Sequence, residues 1–298
     1  MHHWRNGLLI FLATLPAAGH ASGPDIVIVP SSDNSYFSET IETLINHVDR
    51  EARFRVVDAS DLEALAENSA HHRFYVALGV AAVREVQRLA GDAVAFNAYL
   101  THEQYLRMRP SGQLSILLDQ PLPRYLAFCK LLLDLDSVGL LHNDPPAPDA
   151  AESRVLDALN FSLNRYRVAG DDKLLPALRR LLQQNDALLM LPQSELYNRD
   201  TLKGVLLTSY RFRKPAISYS PGHVRAGALA SIYSSPADIG RHLALVVNRR
   251  LRQPQASVPA YEFAHFYSIA TNATVARALG LTLPGEAELR TRLQSTAP

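Results

Sequence analysis

The chain has 298 residues, 47% of them apolar, and carries 30 Lys and Arg against 29 Asp and Glu, a formal net charge of +1. That balance excludes the basic stripe of a nucleic-acid binder, and the length and apolar share suit two domains of ordinary size. The one cysteine, Cys129, lies in the apolar stretch AFCKLLLDL and reads as a small core residue, so no intrachain disulfide can form.

The first residues read as an export signal. Arg5 gives a positive start, Leu8–Leu15 an apolar core broken by Pro16, and Ala17–Ala21 a small-residue exit, with Gly19 and Ala21 where a signal peptidase reads. The apolar run is too short to span a bilayer. Cutting after Ala21 removes Arg5 and brings the balance from 30:29 to 29:29. No cysteine stands at the cut to carry a lipid, and no later segment is long and apolar enough to anchor the chain. The expected product is a free periplasmic protein of a Gram-negative cell, not inserted in the membrane once the signal is gone.

DIVIVP (25–30) is a continuous apolar run of strand length, suited to a parallel strand covered on both faces. Phe37, Ile41, Leu44, Ile45 and Val48 then recur at helical spacing behind a Ser- and Asn-rich start. Strands are predicted over 54–59, 74–79, 94–100 and 114–119, with a short helix over 61–68 and another over 81–91 that ends on Gly91. Strand and helix alternating at this spacing means right-handed βαβ units and a parallel sheet.

The pattern restarts after Pro121-Leu122-Pro123. A helix is predicted over 124–135, a strand over 137–143, a Pro-rich loop over 143–149 and a helix over 152–163. A strand over 166–172, an amphipathic helix over 174–185, a strand over 187–192, a helix over 200–213 and a strand over 216–220 follow. Pro236 opens a long helix to Leu251, AYEFAHFYSIA (260–270) reads as one late strand, and a short helix closes the pattern over 273–279. The fold class expected is α/β: two doubly wound, Rossmann-like lobes with a hinge and a cleft between them.

Several segments carry a resemblance. ALLMLPQSELYN, the Lys214-Pro215 lead-in to AISYS, the HVRAGALA segment and the tail FYSIATNATVARALGLTLP stand in an order similar to that of the bacterial ABC-transporter substrate-binding family with the type I periplasmic-binding fold. The resemblance implies capture and delivery of a small molecule, with a permease in the inner membrane as partner, and no chemistry on the ligand, no metal and no cofactor. It also implies non-contiguous lobes, 24–120 plus 232–260 and 121–231 plus 261–298, crossing near 119–123, 233–236 and 262–266. That family often has Asp right after the loop Pro, where it can pair with a ligand ammonium; here the residue is Gln193, which removes a fixed negative charge.

In open parallel sheets, ligands bind beyond the carboxyl ends of the strands, where helix N-termini present free N–H groups. Five loops qualify. Ser31, Ser32, Asn34 and Tyr36 follow the first strand and can hold a polar head or cap the next helix. Gly79 and Val80 follow the third strand, where glycine permits close approach. His142 and Asn143 end a second-lobe strand, Gln193, Ser194 and Tyr197 follow ALLMLP, and Tyr219, Ser220 and His223 follow AISYS. Tyr36, Tyr197 and Tyr219 would suit a planar ligand, although core packing is the other use of such a tyrosine.

The chain has no GxGxxG, Walker loop, HExxH or GxSxG. His71-His72 reads as solvated surface, and Asp134, Asp136, Asp171 and Asp172 read as helix caps. The leading reading is a solute-binding protein that captures a small polar or aromatic organic ligand. An exported sensor that signals to a membrane partner is the alternative, and an exported α/β hydrolase using Ser218 or Ser220 a third.

Overall fold

The computed structural model describes residues 24–49, 52–63, 73–90, 94–110, 114–143, 150–168 and 174–296. The export signal, His71-His72, Gly91, most of the Pro-rich loop and Asp171-Asp172 lie outside the described residues.

Two six-stranded sheets repeat one order of neighbours. β1 (Asp25–Pro30), β2 (Arg53–Val56), β3 (Arg73–Leu78), β4 (Ala95–Leu100), β5 (Leu114–Leu117) and β11 (Tyr261–Phe263) stand as β2-β1-β3-β4-β5-β11. β6 (Ser137–His142), β7 (Ser162–Arg167), β8 (Ala187–Leu189), β9 (Ala216–Ser218), β10 (Ala230–Tyr233) and β12 (Ser268–Thr271) stand as β7-β6-β8-β9-β10-β12. All pairings are parallel except β10 with β12.

The continuous apolar runs follow from burial on both faces. Ile26 and Ile28 pack with Leu44 of α1 (Ser35–His47) and with Ile239, Leu243 and Val247 of α9 (Pro236–Arg252). Val27 and Val29, pointing the other way, pack with Val83 and Val86 of α2 (Val80–Ala90) and Tyr105 of α3 (His102–Met108). In the second lobe, Val138, Leu189 and Ile217 face α4 (Leu122–Leu133) and α11 (Glu286–Thr296), while Leu141 and Leu188 face α6 (Leu174–Gln184) and α7 (Leu202–Arg211). α5 (Ala150–Leu159), α8 (Pro221–Ala226) and α10 (Ala273–Leu279) complete the layers. A Cβ at Gly240 would lie 2.7 Å from the Thr40 carbonyl and from Thr43 Cβ, so glycine is what lets α9 press onto α1.

The structure corrects several expectations. The strand expected over 166–172 is β7, starting at Ser162: Asn160 turns left-handed (φ 46°) behind α5, and Ser162 pairs at once with Ser137. The single late strand is two, one in each sheet. The expected lobe edges move with them, because Ile232 and Tyr233 belong to the second sheet and Tyr261–Phe263 to the first. Helix α3 was not foreseen, although Thr101 and Gln104 form its capping box. Strand β10 and helices α8 and α11 were not foreseen either.

The antiparallel β12 has a plain cause. Only residues 264–267 join β11 to β12. A chain that leaves β11 at the interlobe edge through so short a link must enter the second sheet at that edge, and so runs against its neighbours. β11 itself is parallel because the 17-residue α9 first carries the chain back down the first lobe.

Candidate functional site

Three crossings join the lobes, from β5 to α4, from β10 to α9 and from β11 to β12, and side chains stitch them together. Gln120 in the first donates to Ser234 Oγ in the second (2.9 Å), and Ser234 donates to the Phe266 carbonyl in the third (2.8 Å). Arg124 donates to Gln120 Oε1 (2.5 Å) and to the Ala264 carbonyl (2.8 Å), and its guanidinium lies 4.8 Å from the centre of the Tyr267 ring. Asp238, 1% exposed, opens α9. Its Oδ2 accepts from the Ser235 amide (2.9 Å), the Ser235 hydroxyl (2.7 Å) and the Ser268 hydroxyl (2.8 Å), while Oδ1 accepts from Arg241 (2.5 Å). Burial pushes this carboxyl up, but the donors outweigh burial and hold it below the usual aspartate value.

The first lobe commits most of its strand-end groups to its own frame. Ser31 accepts the Ala82 N–H (2.9 Å) and so caps α2, while its amide donates to the Leu78 carbonyl. Gly79 stands against it at φ 92°, where a Cβ would come within 2.7 Å of Ser31 Oγ, and Val80 begins α2. Asn34 caps α1 through the Phe37 N–H (3.0 Å) and donates to Ser32 Oγ (2.9 Å); Tyr36 is 59% exposed. Tyr99, left-handed at φ 63° beside a register shift between β4 and β5, turns its hydroxyl to Thr40 Oγ1 (2.5 Å) and its ring edge to Phe37.

In the second lobe, His142 ends β6 and is buried. Gln193 accepts the Asn143 N–H (3.2 Å) and donates to the Leu141 carbonyl (3.3 Å). A carboxylate could accept there but not donate, which gives a physical reason for Gln where the family resemblance suggested Asp. Asn143 also donates to Glu195 (2.5 Å), and Ser194 is exposed. Ser220 caps α8 through the Gly222 N–H (3.1 Å), and His223 Nδ1 meets Ser218 Oγ at 2.7 Å, with burial pushing the imidazole down. The Tyr219 ring makes an edge contact with His223 (centroids 4.8 Å apart).

The buried hydroxyls of Tyr197, Ser209 and Ser231 have no hydrogen-bond partner among the described residues, and the first of them follows a strand end. Tyr197 is 4% exposed, and its Oη has no hydrogen-bond partner among the described residues. Burial and the neighbouring Tyr219 push this phenol well up, and burial and the Asp119 carboxyl raise Tyr219 in turn. Tyr125, fully buried on α4, senses both Asp119 and Tyr219. Asp119, just beyond β5, accepts the His102 N–H (2.6 Å), and burial pushes its carboxyl up to about 6. The Asp119 carboxyl is thus sensed by Tyr125 and Tyr219, and Tyr219 by Tyr125 and Tyr197, with Tyr219 packed on the apolar cluster that buries Tyr197. The residue expectations contained only Tyr197 and Tyr219 of this group. The strand-end rule applies equally to Asp119, which follows the apolar run LSILL.

Two surface grooves lie elsewhere. One of about 460 Å³ runs along α9 past Asp49, Arg241, Arg252 and Phe266, and one of about 490 Å³ lies at the amino ends of β6, β8 and β9, past Asp136, Asp186 and Lys214. Their charges pair within the protein, Arg241 with Asp238, Arg252 with Asp49 and Lys214 with Asp186.

Two doubly wound α/β lobes joined by three adjacent crossings define the type I periplasmic-binding fold, and this chain has it. Solved structures agree. The ligand-free, open structure of a substrate-binding protein with adhesive properties from Clostridium difficile is similar at TM-score 0.66 and 12% identity, covering 88% of this chain and 96% of that one. An ABC domain in complex with L-Trp from Streptococcus pneumoniae is similar at TM-score 0.53 and 13% identity, covering 90% and 98%. A conserved domain protein from Vibrio cholerae is similar at TM-score 0.51 and 15% identity, covering 90% and 98%. No protein-family model and no curated protein sequence matches the chain.

Proposed function

We propose that this is an exported solute-binding protein that takes a small polar or aromatic organic ligand between its lobes and delivers it unaltered to an ABC permease of the inner membrane. One observation carries the reading: the buried Tyr197 hydroxyl has no partner among the described residues, and its neighbour Tyr219 senses the raised Asp119 carboxyl of the first lobe. A guest with a hydrogen-bonding group and a flat face would satisfy the hydroxyl and lie against Tyr219. The substrate-binding proteins of the same fold, one of them holding L-Trp, support it. The remaining strand-end candidates, from Ser31 to His223, would line the walls, several through backbone groups because their side chains serve as caps.

Native mass spectrometry of the protein as purified, followed by a melting screen of amino acids, aromatic acids and nucleobases, tests this reading. A co-purifying small molecule that raises the melting temperature, with the rise lost in Tyr219→Ala, is expected. No shift with any compound would overturn it. Ser218 Oγ against His223 Nδ1 is the one contact that favours a hydrolase, but Ser218 is wholly buried, and no carboxylate is hydrogen-bonded to His223 among the described residues. A hydrolase would lose turnover in Ser218→Ala, and a binding protein has none to lose. A sensor role would differ in its partner, a membrane kinase in place of a permease.

A further inference from the structure

Beside the third crossing, three side chains converge that the ligand site does not use. His242 on α9 is wholly buried and sets Nε2 3.0 Å from Glu262 Oε2 on β11. His265, in the link to β12 and half exposed, stacks on His242 with ring centroids 4.1 Å apart and places Nε2 3.7 Å from the same oxygen. One donor atom from each of the three lies within 4.8 Å of the others.

We propose that His242, Glu262 and His265 form a site for a divalent transition-metal ion, with zinc as the type. The spacing is the first argument. A four-coordinate zinc with bonds of about 2.0–2.2 Å to nitrogen and oxygen holds its ligand atoms about 3.3–3.5 Å apart. The two separations measured to Glu262 Oε2, 3.0 and 3.7 Å, bracket that edge. The donor set is the second: two imidazoles and one carboxylate favour zinc, cobalt or nickel over magnesium or calcium, which prefer oxygen alone. The outer shell is the third. Arg249 donates to Glu262 Oε1 (3.1 Å), fixing the carboxylate and leaving Oε2 for the ion.

The His265 amide lies 3.4 Å from His242 Nδ1, so His242 carries its proton on Nε2, toward Glu262. Metal binding moves that proton to Nδ1, exchanges the Nε2–H bond to Glu262 for bonds to the ion, and gives up the long contact from the His265 amide, which must turn away from the new Nδ1–H. His265, half exposed, has room to swing off the stack and point its lone pair at the ion, and its solvent side leaves the fourth position to water. His242 and Glu262 belong to elements of the first lobe, and His265 to the link between lobes. A bound ion would fasten the third crossing to the first lobe.

Cobalt(II) titration of the untagged full chain, read by its visible absorption bands and then displaced by zinc, tests the site. One ion per chain is expected, with His265→Ala and Glu262→Gln each weakening binding by at least about 100-fold, since losing a ligand costs more than losing an outer partner. His265→Ala should melt close to wild type without metal, because the side chain is half exposed. Zinc should raise the wild-type melting temperature and leave that of His265→Ala unmoved. Equal binding by wild type and His265→Ala, or a wild-type titration that never saturates, would overturn the proposal. The result does not depend on what the interlobe site binds.

Discussion

The crossings and the strand ends lie side by side yet treat polar groups in opposite ways. At the crossings Asp238 accepts four hydrogen bonds, Ser234 joins all three crossings, and Arg124 reaches a side chain and a carbonyl. Past β8 the Tyr197 hydroxyl has no partner among the described residues, and Asp119, where the first crossing leaves β5, is raised where Asp238 is lowered. Both aspartates are crowded by protein, so donors decide the sign. A buried carboxylate with many donors stays ionised, and one with few drifts toward its neutral form. The crossings thus hold the frame, while past β8 one buried hydroxyl is left without a partner among the described residues.

The largest effect should come from breaking the crossings. Asp238→Ala removes a buried charge and its cap, and should cost about 3 kcal/mol in denaturant unfolding. The Asp238 carboxyl is lowered on folding, so its contribution is present above the unfolded value of 3.8 and is lost as pH falls through the folded one. The gap between Asp238→Asn and wild type should therefore be full near neutral pH and close in acid. Gln120→Ala should cost about 1–2 kcal/mol by the same measurement, for the two bonds to Ser234 and Arg124.

The strand ends should respond with the other sign. Tyr197→Phe deletes an unanswered hydroxyl and should stabilise the free protein by about 1 kcal/mol while weakening ligand binding. A loss of stability in the free protein would show that the hydroxyl is already satisfied. Asp119 should have the effect that depends most on pH. Its folded value of about 6 lies above the unfolded 3.8, so its stabilisation is full below 3.8 and is lost as pH rises through 6. Asp119→Asn should melt higher than wild type at pH 8, and the two should converge near pH 4.

Much of the frame was legible because burial on two faces leaves an unbroken apolar run. DIVIVP, SVGLLH and ALLMLP announce strands, and Ser-Pro at 235–236 announces α9. The elements that escaped have weak local signals: β10 and β11 are short, α3 rests on a capping box in a polar segment, and AYEFAHFYSIA shows no break although it serves two sheets. Of the site, Tyr197 and Tyr219 could be read from their place after strands, but their chemistry could not. Whether a Ser, Asn or Gln faces a guest or a backbone amide depends on which strand end stands beside it, as Ser31 shows by capping a helix that begins 49 residues later.

The amino-acid order by itself determined the alternation of buried strands and amphipathic helices, and hence two doubly wound units, because side-chain periodicity and burial are local properties. Only the tertiary structure decided which way β12 runs, which aspartate is lowered and which raised, and that two histidines and a glutamate share one corner. Those outcomes depend on groups far apart in the chain being brought within hydrogen-bonding reach, and spacing along the chain does not encode that distance.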